Sequence, residues 1–496
     1  MDGNSKNITL FEQFKRLREF RDELYLLFPK RADAIMDLID AISSNTIAAS
    51  PTELSLNPFF QRQYGSVHAA INNFAPAEKL ESLQQTLLPI VTRNIPKPVA
   101  RPFYLLAGDA TSCSRPFSPT LKDRGVQHSP NPTLNNKPIT IGHSYSALAA
   151  LPEKNALNSP AWVIPLLMNR VPSHKKAIEV VADQLQVILE DDSLPFKSHL
   201  TAAALDSGYS RKTFLHDTAK HQNYVNIVRM RGNRKFYRQL ENTKSNGSKG
   251  HPVWYGSLFH MHDPSTWGTP DSEEIVPITF KNGRSAVAAI QTWNDMLMRG
   301  GKNIPMHQRP FNLLRVSVRD ENGQPVFIRP LWLIVTGERR HELSPAQIYD
   351  AYRQRYDIEH FFRFGKQKLL LNAYQTSDVC QEENWWTLLY VWHMSNCISW
   401  LHSQPATQDH GNGIYLNFSI NRILQLLLHP PRSGMRAESL RKSVPLQNRL
   451  KKEAWLRADQ KAIVKKNEKN FPLFLNENRN NLTMPIRKNC SKSNNL

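Results

Sequence analysis

Between Phe103 and Met230 the residue pattern changes period in a set order, and that order limits the folds open to the chain. Strand-like runs occupy Phe103-Tyr-Leu-Leu-Ala107, Pro138 to Leu151 and Trp162 to Leu167. A helical pattern follows from Ser173 to Glu190, then a strand Thr201 to Leu205, a helix Ser210 to Lys220 and a strand Tyr224 to Met230. From there to about residue 340 the chain reads as extended and turn-rich, with Asp263-Pro264, Asn282-Gly283 and Asn322-Gly323 as turns. A last helical stretch, Pro345 to Leu371, arrives only after this β-rich segment.

That last stretch carries the most chemistry. On one continuous helix at 100° per residue, Tyr352 and Lys366 would fall within about 20° of Glu359, and Arg355 within about 40°. A carboxylate beside a guanidinium, an ammonium and a phenol suits divalent-metal chemistry on a phosphodiester: the acid holds metal, the others hold phosphate. Ala351, Ile358, Phe362 and Leu369 form a neighbouring apolar stripe that would dock the helix on a core. A solvated, salt-bridged helix face is the plainer alternative.

The element order is that of a ribonuclease H-like α/β core interrupted by a β-rich insertion. Two aspartates stand at telling places in it. Asp109 is expected to end the first strand in Ala107-Gly-Asp-Ala-Thr111, and Asp206 the fourth in Leu205-Asp-Ser-Gly-Tyr209. Strand ends project into the crevice at one edge of such a sheet. With Glu359 they would form an oxygen cage for two Mg²⁺ or Mn²⁺ ions. Read singly, each aspartate is equally a turn or cap residue.

The chain has 496 residues, with 63 Lys and Arg against 43 Asp and Glu, a net charge of +20. Such an excess points to a polyanionic partner, with nucleic acid first. Residues 432–496 hold 16 Lys or Arg and 5 Asp or Glu, a basic tail that either binds DNA or only solubilises. Residues 8–45 show helical periodicity broken at Phe28-Pro29, a further helical segment ends near Phe74, and Asn94 to Pro102 reads as a proline-rich linker. The four cysteines are scattered without a CxxC pair, which argues against structural zinc or disulfides and fits a reducing cytoplasm. Trp385 to Leu401, interrupted by His393, Ser395 and Asn396, reads as a buried helix and not as a membrane span. His143, His360 and His393 are expected to be ordinary hydrogen-bonded histidines.

Gly108-Asp109, Asp206-Ser-Gly-Tyr209 and the spacing Tyr-x2-Arg-x3-Glu-x6-Lys at 352–366 resemble the DDE transposases of bacterial insertion sequences, of the family-four type. The resemblance spans roughly residues 99–403. It implies Asp109, Asp206 and Glu359 as metal-binding catalytic residues and Tyr352, Arg355 and Lys366 as grips on the DNA phosphates. It also implies that Trp332, in the strand before the glutamate helix, stacks on a base displaced at the cut end. A core role for Trp332, with Trp254, Trp267 or Trp293 stacking instead, stays open. Ser207 stands where many relatives have arginine. The basic run Arg229, Arg231, Arg234, Lys235 and Arg238 reads as DNA backbone contact or a solvated edge.

The expected organisation is a helical DNA-end-binding region at 1–98, catalytic core at 99–235, β-rich insertion at 236–339, final core helices at 340–403, and a basic tail at 404–496 for dimerisation or DNA contact. The function implied is cleavage at inverted-repeat ends and joining of 3′ hydroxyls to target DNA. The expected partner is double-stranded DNA, with the protein a homodimer in the synaptic complex, cytoplasmic and associated with the bacterial nucleoid. Two rivals remain: a metal-dependent nuclease or resolvase on the same fold, and a domesticated DNA-binding protein without catalysis.

Overall fold

The computed structural model describes residues 10–403 except 129–137, 155–162, 241–253, 281–282 and 302. The expected basic tail lies outside the described residues, as does the amphipathic helix that the spacing of Ile420, Ile423, Leu424 and Leu427 predicts at 417–429.

The chain opens with helices α1 (Leu10–Leu26), α2 (Ala32–Ser43), α3 (Gly65–Asn72) and α4 (Leu80–Thr92). The break between the first two falls at Phe28-Pro29 as the periodicity predicts, with Arg31 in the left-handed region at φ 59°. Leu24, Ile35, Ile39, Ile42, Val67 and Ile71 turn inward because they recur at helical spacing. They pack against the long helix at Val379–Ser403 and share one apolar core with the sheet.

Strands β1 (Tyr104–Ser114), β2 (Gly125–His128), β3 (Ile139–Ala150) and β4 (Ile164–Val171) follow. Then come α5 (Ala177–Glu190), the single turn α6 (Pro195–Ser198), β5 (Thr201–Leu205), α7 (Lys212–Thr218) and β6 (Tyr224–Arg229). β4, β3 and β1 pair antiparallel, while β1, β5 and β6 run parallel, which is the ribonuclease H-like strand order in a mixed α/β sheet.

The β-rich segment contributes β7 (Lys235–Tyr237), β8 (Leu258–His260), β9 (Ser272–Thr279), β10 (Ser285–Met296), β11 (Phe311–Asp320) and β12 (Leu331–Thr336). Its last four strands continue the main sheet, because β12 pairs antiparallel with β6 and leads outward through β11 and β10 to β9. The insertion therefore widens the sheet that carries the site.

Helices α8 (Pro345–Gln354), α9 (Tyr356–Lys368) and α10 (Val379–Ser403) complete the described chain. The single helix expected from Pro345 to Leu371 is in fact two. It is interrupted at Arg355, whose N–H reaches both Ala351 O and Tyr352 O, and α9 starts afresh at Tyr356. The start of α8 is fixed by a capping box in which Ser344 and Gln347 satisfy each other's backbone N–H. α10 holds Trp385, Trp386, Leu388, Val391 and Trp392 in the core, as its apolar run predicts. Among the described residues no helix is long and apolar enough to cross a membrane.

Candidate active site

The three acids come from three elements that meet at one edge of the sheet. β1 does not end at Asp109. It runs on to Ser114 because β3 pairs with it from Leu106 to Ser114, whereas parallel β5 pairs only as far as Ala107. Asp109 thus lies just beyond the point where β1 loses β5, and the cleft opens there. The preceding residue must be small: a Cβ on Gly108 would lie 2.9 Å from Val181 Cγ1 and 3.2 Å from Leu205 Cδ2, so glycine lets α5 close on the sheet. Asp206 follows the last residue of β5. It caps the turn Ser207–Tyr209 by accepting from Gly208 N–H at 2.6 Å, so the cap reading of this residue holds.

Glu359 sits in the first turn of α9 and is held by Arg355, whose Nη2 donates to Oε1 at 2.8 Å. Arg355 also lies over the ring of Tyr352 at 5.5 Å, and its buried Nε has no hydrogen-bond partner among the described residues. A partly buried guanidinium with an unused donor is suited to an incoming phosphate oxygen. Lys366 reaches β1 itself, donating to Ser112 O at 2.8 Å, three residues beyond Asp109. Tyr352 is 8% exposed; burial raises its hydroxyl, against the opposing charges of Arg355 and Arg229.

Electrostatics tie the acids together. Burial first, then the charges of Asp206 and Glu359, push Asp109 up to about 6, against the opposing pull of the Ala110 N–H and of Arg355. Burial lowers Lys366, making its ammonium easier to discharge. Among the described residues, however, no group of three or more His, Cys, Asp and Glu stands ready to share a metal ion. The expected three-carboxylate cage is therefore not assembled in this conformation, since Glu359 is engaged by Arg355 and one oxygen each of Asp109 and Asp206 is engaged by backbone N–H groups. The donor set still fits a hard dication: only carboxylate oxygens are offered, and their mutual repulsion at Asp109 is what a positive ion relieves.

Trp332 departs from the expectation. It is 5% exposed and packs against Trp293 at 5.9 Å, Trp267 at 5.3 Å and Phe259 at 6.1 Å. An indole covered in this way meets a base only if the cluster opens. Trp254, by contrast, is 38% exposed and stacks on His307 at 3.8 Å.

Sequence reasoning missed a buried ionic cluster beside the cleft. Glu382 on α10 accepts from Arg115 Nε at 2.7 Å and from the Tyr145 hydroxyl at 2.9 Å, and lies 2.6 Å from His143 Nδ1. Arg115 also donates to the carbonyls of Ser114, Asn372 and Tyr374. Burial raises Glu382, but His143, Arg115 and Tyr145 more than offset it and hold the carboxyl below its ordinary value. The cluster anchors the far end of β1, and its sequence signal is limited to Glu382, next to Glu383 and just ahead of the apolar run of α10.

A mixed sheet of this order, with Asp109 and Asp206 at neighbouring interior strands, is the frame on which the family comparison bears. The profile of the DDE superfamily endonuclease family matches residues 23–300, which is more than half of the chain, and the protein belongs to that family. The match contains Asp109 and Asp206 and stops short of Glu359. No curated protein matches the chain.

Proposed function

We propose that this DDE endonuclease is the transposase of a bacterial insertion sequence of the family-four type. In this reading it binds inverted-repeat ends, cuts them and joins the 3′ hydroxyls to target DNA, working as a homodimer in a synaptic complex at the nucleoid. The observation that carries the reading is that Arg355, lying over the Tyr352 ring, holds Glu359, near enough to Asp109 and Asp206 for their charges to act on Asp109. Asp109, Asp206 and Glu359 would hold Mg²⁺ or Mn²⁺, two ions in this scheme, which when bound supply an activated water or 3′ hydroxyl and stabilise the leaving oxygen.

The chain's own side chains position the DNA. Arg355 exchanges Glu359 for a phosphate oxygen, using the Nε that is otherwise unpaired. Lys366 and Tyr352 flank the same strand. Within this reading Trp254 offers an accessible indole to a displaced base, where Trp332 is covered.

The test uses duplexes ending in the element's terminal repeats, read from the DNA flanking the gene. Asp109→Ala, Asp206→Ala and Glu359→Ala should each abolish strand cleavage while end binding in Mg²⁺-free buffer survives. Wild-type cleavage by Glu359→Gln would remove the central residue of the proposal. Products that are cut but never joined to a target plasmid would replace transposition with the nuclease or resolvase reading.

A further inference from the structure

Resting on that reading, we infer that Arg101, Lys154, Gln354 and Asp357 are positioning residues: they pin the junction between α8 and α9 and so the presentation of Arg355 and Glu359. The proline-rich linker before β1 is tied down. The Glu153 carboxylate receives three successive backbone N–H groups, from Val99 at 2.8 Å, Ala100 at 3.2 Å and Arg101 at 2.8 Å. The Arg101 side chain then crosses to the end of β3 at Leu151 O and to Gln354 Oε1 at 2.9 Å. Gln354 returns the contact, donating to Pro152 O at 2.6 Å. Lys154, from the same loop, meets Asp357 at 2.6 Å, where Asp357 is only 4% exposed.

These contacts bracket the interruption at Arg355. Gln354 is the last residue of α8, and Asp357 lies in the first turn of α9. On α9, Asp357 and Glu359 are two residues apart, about 200° around the helix, so one faces the strap while the other faces the cleft. A side chain that fixes the helix on one side thereby fixes the direction of the carboxylate on the other. None of the four strap residues is among the acids or phosphate grips assigned above, so their effect would pass through Glu359 and Arg355.

The probe is Mn²⁺ itself, titrated calorimetrically into the full chain, with Mn²⁺-dependent nicking of supercoiled plasmid and melting temperature measured on the same preparations. Lys154→Met and Gln354→Ala should each weaken Mn²⁺ binding and raise the half-saturating Mn²⁺ for nicking by about tenfold, the scale at which outer supports tune a metal site. Plasmid affinity without metal and melting temperature should stay near those of wild type, and Lys154→Arg, which keeps the ion pair, should restore Mn²⁺ binding. Wild-type Mn²⁺ behaviour in Lys154→Met and Gln354→Ala, alongside a clear loss in Glu359→Gln, would overturn the positioning role alone. Parallel loss of melting temperature, plasmid affinity and Mn²⁺ binding would reduce the strap to structural support and overturn it too. Failure of the wild-type chain itself to bind Mn²⁺ or nick DNA would instead overturn the function on which this inference rests.

Discussion

Burial, followed by the charges of Asp206 and Glu359, disfavours the ionised form of Asp109 in the folded chain. Its folded value, about 6, lies above the ordinary 3.8, so the folded state holds a proton more readily than the unfolded one. The associated stability is complete below about pH 4 and is lost as pH rises through about 6. At neutral pH the penalty is up to about 3 kcal/mol, the free energy that separates a carboxyl titrating near 6 from one titrating near 3.8. Asp109→Asn should therefore melt higher than wild type in metal-free buffer at pH 7.5, with a much smaller gap at pH 4, while being inactive in cleavage. An equal gap at both pH values would show that the carboxylate is not strained. Trp332 belongs to the opposite class of residue. Its alanine variant should lose about 3 to 5 kcal/mol through the cavity left among Trp267, Trp293 and Phe259, so thermal stability and every activity fall together. An end with an abasic site at the displaced position should not rescue it; a clear rescue at unchanged melting temperature would return Trp332 to base stacking.

At the scale of elements, the decisive feature is the interruption between α8 and α9. It puts Tyr352 on one helix and Glu359 with Lys366 on the next, with Arg355 at the junction paired to Glu359. In the proposed mechanism the arginine competes with metal for the carboxylate when DNA is absent. Arg355→Ala should therefore tighten Mn²⁺ binding by about two- to fivefold, the range set by a partly exposed ion pair, while lowering cleavage of terminal-repeat DNA. Calorimetry without DNA and single-turnover cleavage separate the two effects. Weaker Mn²⁺ binding in this variant would mean that the arginine helps to build the metal site and does not compete with it.

Across the whole molecule, α10 holds the N-terminal helices and the sheet together. Asn384 donates to Ile71 O and Ala75 O, Trp392 to Ser43 Oγ, and Gln84 of α4 to Met168 O of β4. Glu382 is the ionic centre of that assembly, fully buried with Arg115 and His143. Glu382→Gln should cost about 3 to 5 kcal/mol, because it leaves the Arg115 charge buried without its counter-ion. Chemical denaturation would measure this as a lower midpoint, and a change below about 1 kcal/mol would show that the carbonyls of Ser114, Asn372 and Tyr374 satisfy Arg115 by themselves.

Local period and composition determined the elements of this protein and the chemistry it carries: strand runs before Asp109 and Asp206, helical spacing around Glu359, an apolar α10 and a basic excess. Such features are legible because side-chain periodicity and turn chemistry act over a few residues. Tertiary structure decided what depends on distant partners. β1 outlasts its expected end because β3 pairs with it where β5 does not, and arginine, a good helix former, gives no local sign of the break at 355. The Glu382 cluster joins residues 237 to 267 positions apart, and the strap joins Arg101 to Gln354 across 253. Whether a charged side chain is a solvated ornament or a buried pin is set by what packs over it, and no window of neighbouring residues carries that information.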